Sequence, residues 1–432
     1  SQGGVRDEDP LYLLLGGEFA DIERTVYHFA SAAVLYLGNR GVGYMKVIML
    51  RSNPIDPDVR LQKEAKTLAD AGHDVTLLGW QRFGDAPAKE KRHRYTIRRV
   101  KFRAPVEKKV IFYLPIWWIL AFVWLLKEDW DVVHAADLDT YIPAFFAAKI
   151  KRKSLVYDIF DFYADMVPLP AFVRNCVAAF DIFLMKYADA VIVVDPSRLQ
   201  QIDRKGDSSI HVIYNSPKDM PTLSVNNRRD KDRSFTILFA GILTQGRGFE
   251  IVIQAAKDVN DVRLEFAGFG YYAEYLRSLS EREPHITFIG TIPYDEVIRR
   301  TLQSDLLFAL YDPNVPNNRY ASPNKLFEAM MCGKPILVSD GTAMAEIVRE
   351  EDCGLVVPYG DVDAVKHAIL TLKNDPALCR RLGENGRRAY ETKYNWKIME
   401  ERLLEIYRRL DPAQRQAGAI VSSEPHTTRH RL

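Results

Sequence analysis

The stretch from Arg319 to Asp340, RYASPNKLFEAMMCGKPILVSD, constrains this chain most, because it reads as a helix with a defined start followed at once by a buried strand. Ser322 suits the N-cap and Pro323 the first helical position, while Gly333 and Pro335 close the helix before the apolar run Ile336, Leu337, Val338. Leu326, Ala329 and Met330 form a stripe that would pack on a sheet. The amino end of such a helix carries partial positive charge and free N–H groups, so it can hold an anion, and Lys325 in the first turn adds a full charge. Lys325 and Glu328 share a face. A cation and a carboxylate together suit a nucleotide, phosphate for one and ribose hydroxyls for the other. The plainer reading is a capped helix with a surface ion pair.

The segment SPNKLFEAMMCGKPILVSD resembles the donor site of the family 4 retaining glycosyltransferases, in the branch whose motif runs P-N-K-L-F-E followed by G-K-P. The likeness extends from Lys46 to about Arg409. It implies the α/β GT-B fold, two Rossmann-like doubly wound parallel sheets facing across a cleft, and transfer of a sugar from a nucleotide-diphosphate sugar with retention of anomeric configuration. It also implies a donor site that takes in Tyr320, Ser322, Pro323, Asn324, Lys325, Leu326 and Glu328. Many relatives place a glutamate eight positions before the one matching Glu328. Here Tyr320 stands there, so a nucleotide-sugar-binding subunit without transferase activity and a GT-B epimerase remain alternatives.

Length and composition agree with two soluble domains: 432 residues, 47% hydrophobic and 27% charged. The four cysteines show no C-x-x-C spacing, which argues against a disulfide framework and a zinc site and favours a reducing cytoplasm. A net charge of +2 makes any electrostatic role local.

Residues 1–44 read as an extension with a helix over 18–37, and not as a signal peptide. The first domain is expected over 45–215. It opens with a strand at Val47–Leu50, a helix from Pro57 to Ala71 and a strand at Val75–Leu78. The loop SNPIDPDVR after the first strand lacks the glycines common in relatives; Asn53 and Arg60 are its acceptor-side candidates, with a solvated arginine as the plainer reading.

From Lys89 to Lys109 the chain is densely basic, and it runs straight into VIFYLPIWWILAFVWLL. That run is short for a membrane span and occupies a helix slot before the strand Asp131–His134, so a domain helix is expected. Two readings stand level: a fully buried helix, or one whose Trp117, Trp118 and Trp124 rest with the basic flank in the headgroups of an anionic membrane. The second places the protein on the cytoplasmic face of the cell membrane. Nucleic acid is set aside, since no nucleic-acid-binding fold accompanies the basic run.

The D-x-D patterns at Asp56, Asp137 and Asp361 are cheap and are discounted as metal sites; no cofactor and no metal are expected. DVVHAADLDT is similar to the family's H-x-H-D segment, with His134 and Asp137 kept and Ala136 in place of the second histidine. LVYDIFDFYADM is similar to Y-D-x-H-E, with Asp161 at the glutamate. His134, Asp137 and Asp161 are thus the candidates on this side, a satisfied structural histidine being the alternative for His134.

Residues 216–234 read as a linker and 235–395 as the donor domain. After the strand Phe235–Gly241, Gly246, Arg247 and Gly248 sit before a helix, a place suited to diphosphate, and Arg247 matches the basic residue of the family's K-G or R-G pair. Gly268 and Gly270 end the next strand. Thr291 and Ile292, after Gly290, are the base-binding candidates that the resemblance implies, with uridine preferred over guanosine. A helix over 396–410 is expected to return to the first domain, and 411–432 to form a polar tail. The acceptor implied is a glycan or a lipid-linked molecule. The two domains are expected to close around the donor.

Overall fold

The computed structural model describes residues 43–56, 58–105, 108–166, 169–202, 209–220 and 234–411. The helix expected over 18–37, nearly all of the tail and most of the linker lie outside these. Residues Met45–Leu410 form one compact unit.

It holds two sheets. The first has β1 (Lys46–Arg51), β2 (Asp74–Gln81), β3 (Lys89–Arg92), β4 (Tyr95–Lys101), β5 (Val132–Ala136), β6 (Ser154–Ile159), β7 (Ala190–Val193) and β8 (Ile210–Val212). Their order is β3-β4-β2-β1-β5-β6-β7-β8. The second has β9 (Phe235–Ile242), β10 (Val262–Phe269), β11 (Ile286–Gly290), β12 (Leu306–Ala309), β13 (Ile336–Ser339) and β14 (Gly354–Val357), in the order β11-β10-β9-β12-β13-β14. All neighbours are parallel except the hairpin β3–β4. Central strands such as VVHAA, AVIV and ILVS are buried at every position, as strands covered on both faces must be.

The helices that matter here are α1 (Val59–Asp70), α2 (Leu114–Lys127), α3 (Leu138–Lys151), α4 (Ala171–Met185), α5 (Phe249–Ala256), α6 (Asn324–Met331) and α7 (Trp396–Leu410). Helix α1 begins at Asp58, whose carboxylate accepts from the Leu61 N–H at 3.2 Å. The crossovers β4→β5, β5→β6 and β6→β7 all step the same way along the sheet, so right-handed connections lay α2, α3 and α4 side by side on one face. Leu114, Trp117, Ala121 and Leu125 of α2, Tyr141, Ala144 and Ala148 of α3, and Leu184 of α4 share one core beneath them.

Two expectations change. The basic run folds into β3 and β4, where Arg92 and Arg99 both pair with Asp56 and Glu90. The tryptophans of α2 do not face outward together. Trp117 is fully buried and stacks on Trp80 at 5.6 Å between ring centres, Trp118 donates to the Asp139 carbonyl at 2.8 Å, and Trp124 is half-buried.

Helix α7 packs on the first sheet's layer. Trp396 donates to Thr67 at 3.4 Å, Thr67 donates to Glu400 at 3.1 Å, and the Tyr407 hydroxyl lies 3.0 Å from His134 Nδ1. With Trp117 filling a site between α2 and β2, truncation to alanine leaves a large cavity. Urea unfolding of Trp117→Ala is expected to show a loss of about 3–5 kcal/mol, against under about 0.5 kcal/mol for an exposed control substitution.

Candidate functional site

In a parallel sheet every helix amino end meets the carboxyl ends of the strands, and the second sheet gathers its polar groups there. The turn between β9 and α5 carries Arg247. Gly248 makes that turn possible: at φ +75° it caps α5, and a Cβ there would lie 2.5 Å from the Leu310 Cβ. Lys325 projects from the first turn of α6 and is 7% exposed. Its Nζ lies 3.5 Å above the centre of the Phe239 ring and 3.5 Å from the Tyr311 hydroxyl. Arg247 stacks over the same tyrosine, Cζ 3.6 Å from the ring centre. Two cations thus share one aromatic platform, with no carboxylate in contact with either cation among the described residues.

The amino end of α6 lies one step later than the sequence suggested. Pro323 is the N-cap and Asn324 the first helical residue. Ser322 Oγ, Asn324 Oδ1 and one terminal nitrogen of Arg247 are buried without a hydrogen-bond partner among the described residues. Buried polar atoms are ordinarily satisfied, so a cluster of orphans beside two cations marks a place built for a polar ligand. Burial pushes the Lys325 ammonium well below the ordinary lysine range, and Arg247 adds to the shift while Glu328 opposes it. Glu328, also buried, is pushed upward by burial against the pull of Lys325, Tyr294 and Lys63.

The other donor candidates divide. Thr291 is exposed and Ile292 half-buried beyond Gly290 at the end of β11, and Tyr320 is half-buried before α6. Gly241 faces the site, since a Cβ there would stand 3.4 Å from Lys325 Nζ, and at Gly246 it would meet Asn318 at 3.3 Å. Gly268 and Gly270 serve the sheet instead: Cβ atoms there would run into the Gly241 and Leu243 carbonyl oxygens. The Leu326 side chain is fully buried in the core, and its N–H donates to Pro323.

On the first sheet most of the candidates are already engaged. His134 is wholly buried between Tyr407 and Asp158, whose carboxylate lies 3.4 Å from Nε2. Asp137, at φ +65°, accepts from the Phe160 and Asp161 N–H groups at 2.9 and 3.2 Å and pairs with Arg51. Arg60 is buried, donating to the Ile213 carbonyl at 2.7 Å and pairing with Asp158 at 3.0 Å. Asn53 closes a local turn, accepting from Ile55 and donating to Asp58. All four are thus engaged by protein groups in this structure, where the sequence offered His134 and Asp137 to the substrate and Asn53 and Arg60 to the acceptor. Glu64, His134 and Asp158 bring ligand atoms within 4.8 Å of one another, but Arg60 pairs with both carboxylates and supplies the positive charge.

Asp161 is different. It is half exposed and takes a hydrogen bond at 2.9 Å from Arg198, a buried arginine that also reaches Asn317 Oδ1 at 3.3 Å, just ahead of the donor motif. Tyr311, Arg198 and Tyr294 were missed in the sequence. Tyr311 was within reach, as the residue that follows the apolar run 306–310 in a fold whose ligands lie at strand ends.

Comparison with known proteins accords with this geometry. The family model described as "Glycosyl transferases group 1" matches residues 223–389, and that of "Glycosyltransferase Family 4" matches 59–216. The chain is 23% identical over 293 residues to a phosphatidyl-myo-inositol mannosyltransferase of Mycobacterium leprae, covering 66% of this chain and 75% of that protein. Among solved structures it is similar to a sucrose-phosphate synthase of Thermosynechococcus elongatus, with TM-score 0.69, 19% identity, and 84% and 99% of the two chains covered. It is also similar to Anabaena HepE in complex with UDP-glucose, with TM-score 0.61, 17% identity, and 84% and 98% covered. The fold is GT-B. The chain belongs to the group 1 and family 4 glycosyltransferases, whose two models together take in most of its length.

An anion arriving beside a lysine held below its ordinary range favours the protonated form. Calorimetric affinity for UDP is therefore expected to fall more steeply with rising pH in the wild-type protein than in Lys325→Met.

Proposed function

We propose that the enzyme moves a sugar from a nucleotide-diphosphate sugar, UDP-sugar ahead of GDP-sugar, to a lipid-linked or glycan acceptor with retention of configuration. The observation that carries this is the pair Arg247 and Lys325 on the Tyr311 platform beside the unsatisfied amino end of α6. Breaking the glycosidic bond to the diphosphate loads negative charge on the leaving oxygens. Fixed cations and helix amino ends aimed there favour that state over the ground state. Arg247 and Lys325 supply the charge, with backbone groups near Gly246, Gly248 and Asn324 adding partial charge. Glu328, on the same helix face as Lys325, suits the ribose. Asp161, held by Arg198 next to Asn317, is the first-sheet carboxylate best placed to meet an acceptor.

The preference for uridine is supported by HepE, whose structures hold UDP and UDP-glucose. A GDP-mannose-dependent relative from Corynebacterium glutamicum, 29% identical over 173 residues, keeps guanosine as the second choice. Lipid acceptors are supported by the phosphatidylinositol named for that protein and for the mycobacterial relative. Tyr320, where many relatives have a glutamate, favours the second reading, a sugar-nucleotide-binding subunit without transfer.

Arg247→Ala and Lys325→Ala are each expected to lower kcat by about 10²-fold or more, whereas Glu328→Ala chiefly raises KM. The assay is release of nucleotide from UDP-glucose and GDP-mannose with and without acceptor extracts, with NMR assignment of the product anomer. Full activity in Lys325→Ala or an inverted product overturns the mechanism; UDP binding with no turnover of any donor assigns the subunit reading.

A further inference from the structure

The outermost layer of the first domain is unlike that of an ordinary α/β protein. A helix covering a sheet normally turns a polar face to water. Helix α2 has no charged side chain from Leu114 to Leu126, and its outer positions Ile116, Ile119 and Val123 are exposed, Ile119 by 63%. The pattern continues across the layer, with Phe146 and Ile150 on α3 and Phe180 on α4 standing 55%, 62% and 48% exposed. Between α2 and α3 runs an apolar furrow of about 290 Å³, with Ile119 and Phe122 on one wall and Ile142 and Phe146 on the other. An apolar face spread over three adjacent helices exceeds the scattered exposure usual at a soluble surface.

The charges sit at the edges. Lys109 precedes α2, and Lys127, Lys149, Arg152 and Lys186 gather at the carboxyl ends of the three helices. Of the acidic neighbours on that edge, Asp129 and Asp131 are already paired with Lys46 and Lys153, and Glu128 stands directly beside Lys127.

We infer that the outer face of α2, α3 and α4 docks into one leaflet of an anionic bilayer, the exposed aliphatic and phenyl side chains entering the acyl region and the cationic edge meeting the headgroups. The run from Lys109 to Lys127 is long and apolar enough to cross a membrane, but α2 sends Leu114, Trp117, Ala121 and Leu125 into the core and leads directly into β5. It therefore lies in the membrane plane as part of the domain. A second copy of the chain fits less well, since pairing this face with itself brings like-charged edges together and offers few hydrogen-bonding groups. The furrow gives the face room for one hydrocarbon chain. It starts at the amino ends of α2 and α3, where Trp118 donates to the Asp139 carbonyl at the carboxyl edge of the first sheet. The inference stands on surface chemistry alone and does not depend on which sugar is moved.

The test is flotation of the full chain with vesicles of phosphatidylcholine, with and without phosphatidylglycerol. The protein is expected to float with both, more with the anionic vesicles, and to stay bound when salt is raised after binding. Ile119→Glu combined with Phe146→Glu, both on exposed positions, is expected to cut binding about tenfold or more while the UDP-induced thermal shift is kept. A second measurement needs no substitution: vesicles with brominated acyl chains are expected to quench the tryptophan fluorescence of bound wild-type protein. Absence of vesicle binding, full binding by the double variant, binding abolished by salt alone, or bound protein without quenching would each overturn the inference. A concentration-dependent dimer in sedimentation without vesicle binding would assign the face to a second copy instead.

Discussion

A parallel strand can reach its parallel neighbour only by a crossover, and that requirement sets the chemistry of both halves of this chain. Each return helix starts at the carboxyl edge of its sheet, so amino-end N–H groups and strand-end side chains collect along one line. Arg247 leaves β9 toward α5, Tyr311 follows β12, and Lys325 opens α6, residues far apart in sequence that meet because their elements begin or end at one edge. Among the described residues neither cation rests against a carboxylate, an arrangement costly for two buried groups of like charge. The low dielectric that depresses Lys325 would equally strengthen its attraction to the anion proposed for this site.

On the first sheet the same edge is used in the opposite way. Arg60, Glu64, His134 and Asp158 are all buried, and each is held by another of the group or by Tyr407. Breaking a buried charge pair by removing one partner costs several kcal/mol, about 3–5, so such groups are fixed by each other and poorly free to serve a substrate. That leaves Asp161, whose partner Arg198 spans toward Asn317, as the candidate carboxylate on this sheet that remains accessible.

The fold was legible chiefly through the resemblance that the P-N-K-L-F-E segment carries, while apolar runs and helical spacing placed individual strands and helices. Arg247 and Lys325 were legible for a related reason, each lying in a local motif at a helix start. What stayed hidden depended on distant pairing. The hairpin β3–β4 was concealed because one of its inward positions is Arg99, which reads as surface charge until Asp56 and Glu90 are brought against it. Trp117 could not be told from Trp118 by composition, since α2 lacks the polar face that marks a helix exterior; only the stripe Leu114, Trp117, Ala121, Leu125 identifies the buried side. The sealed state of His134 required Tyr407, 273 positions away.

Lys63 joins these threads. It stands on α1 of the first sheet with its ammonium 2.5 Å from the Ser216 carbonyl and 4.3 Å above the Trp396 ring, so it touches both segments that cross between the sheets. Burial and the neighbouring Arg60 push it down to about 7, with Glu64 and Glu328 pulling the other way. A lysine lowered in the folded state binds its proton more weakly there than in the unfolded chain. Its penalty is therefore largest below about pH 7 and is relieved as pH rises toward the unfolded value. Glu328, on α6 behind the second sheet's edge, is among the groups that favour its charge, so buried charges from both halves of the chain are felt at one side chain that touches both crossings.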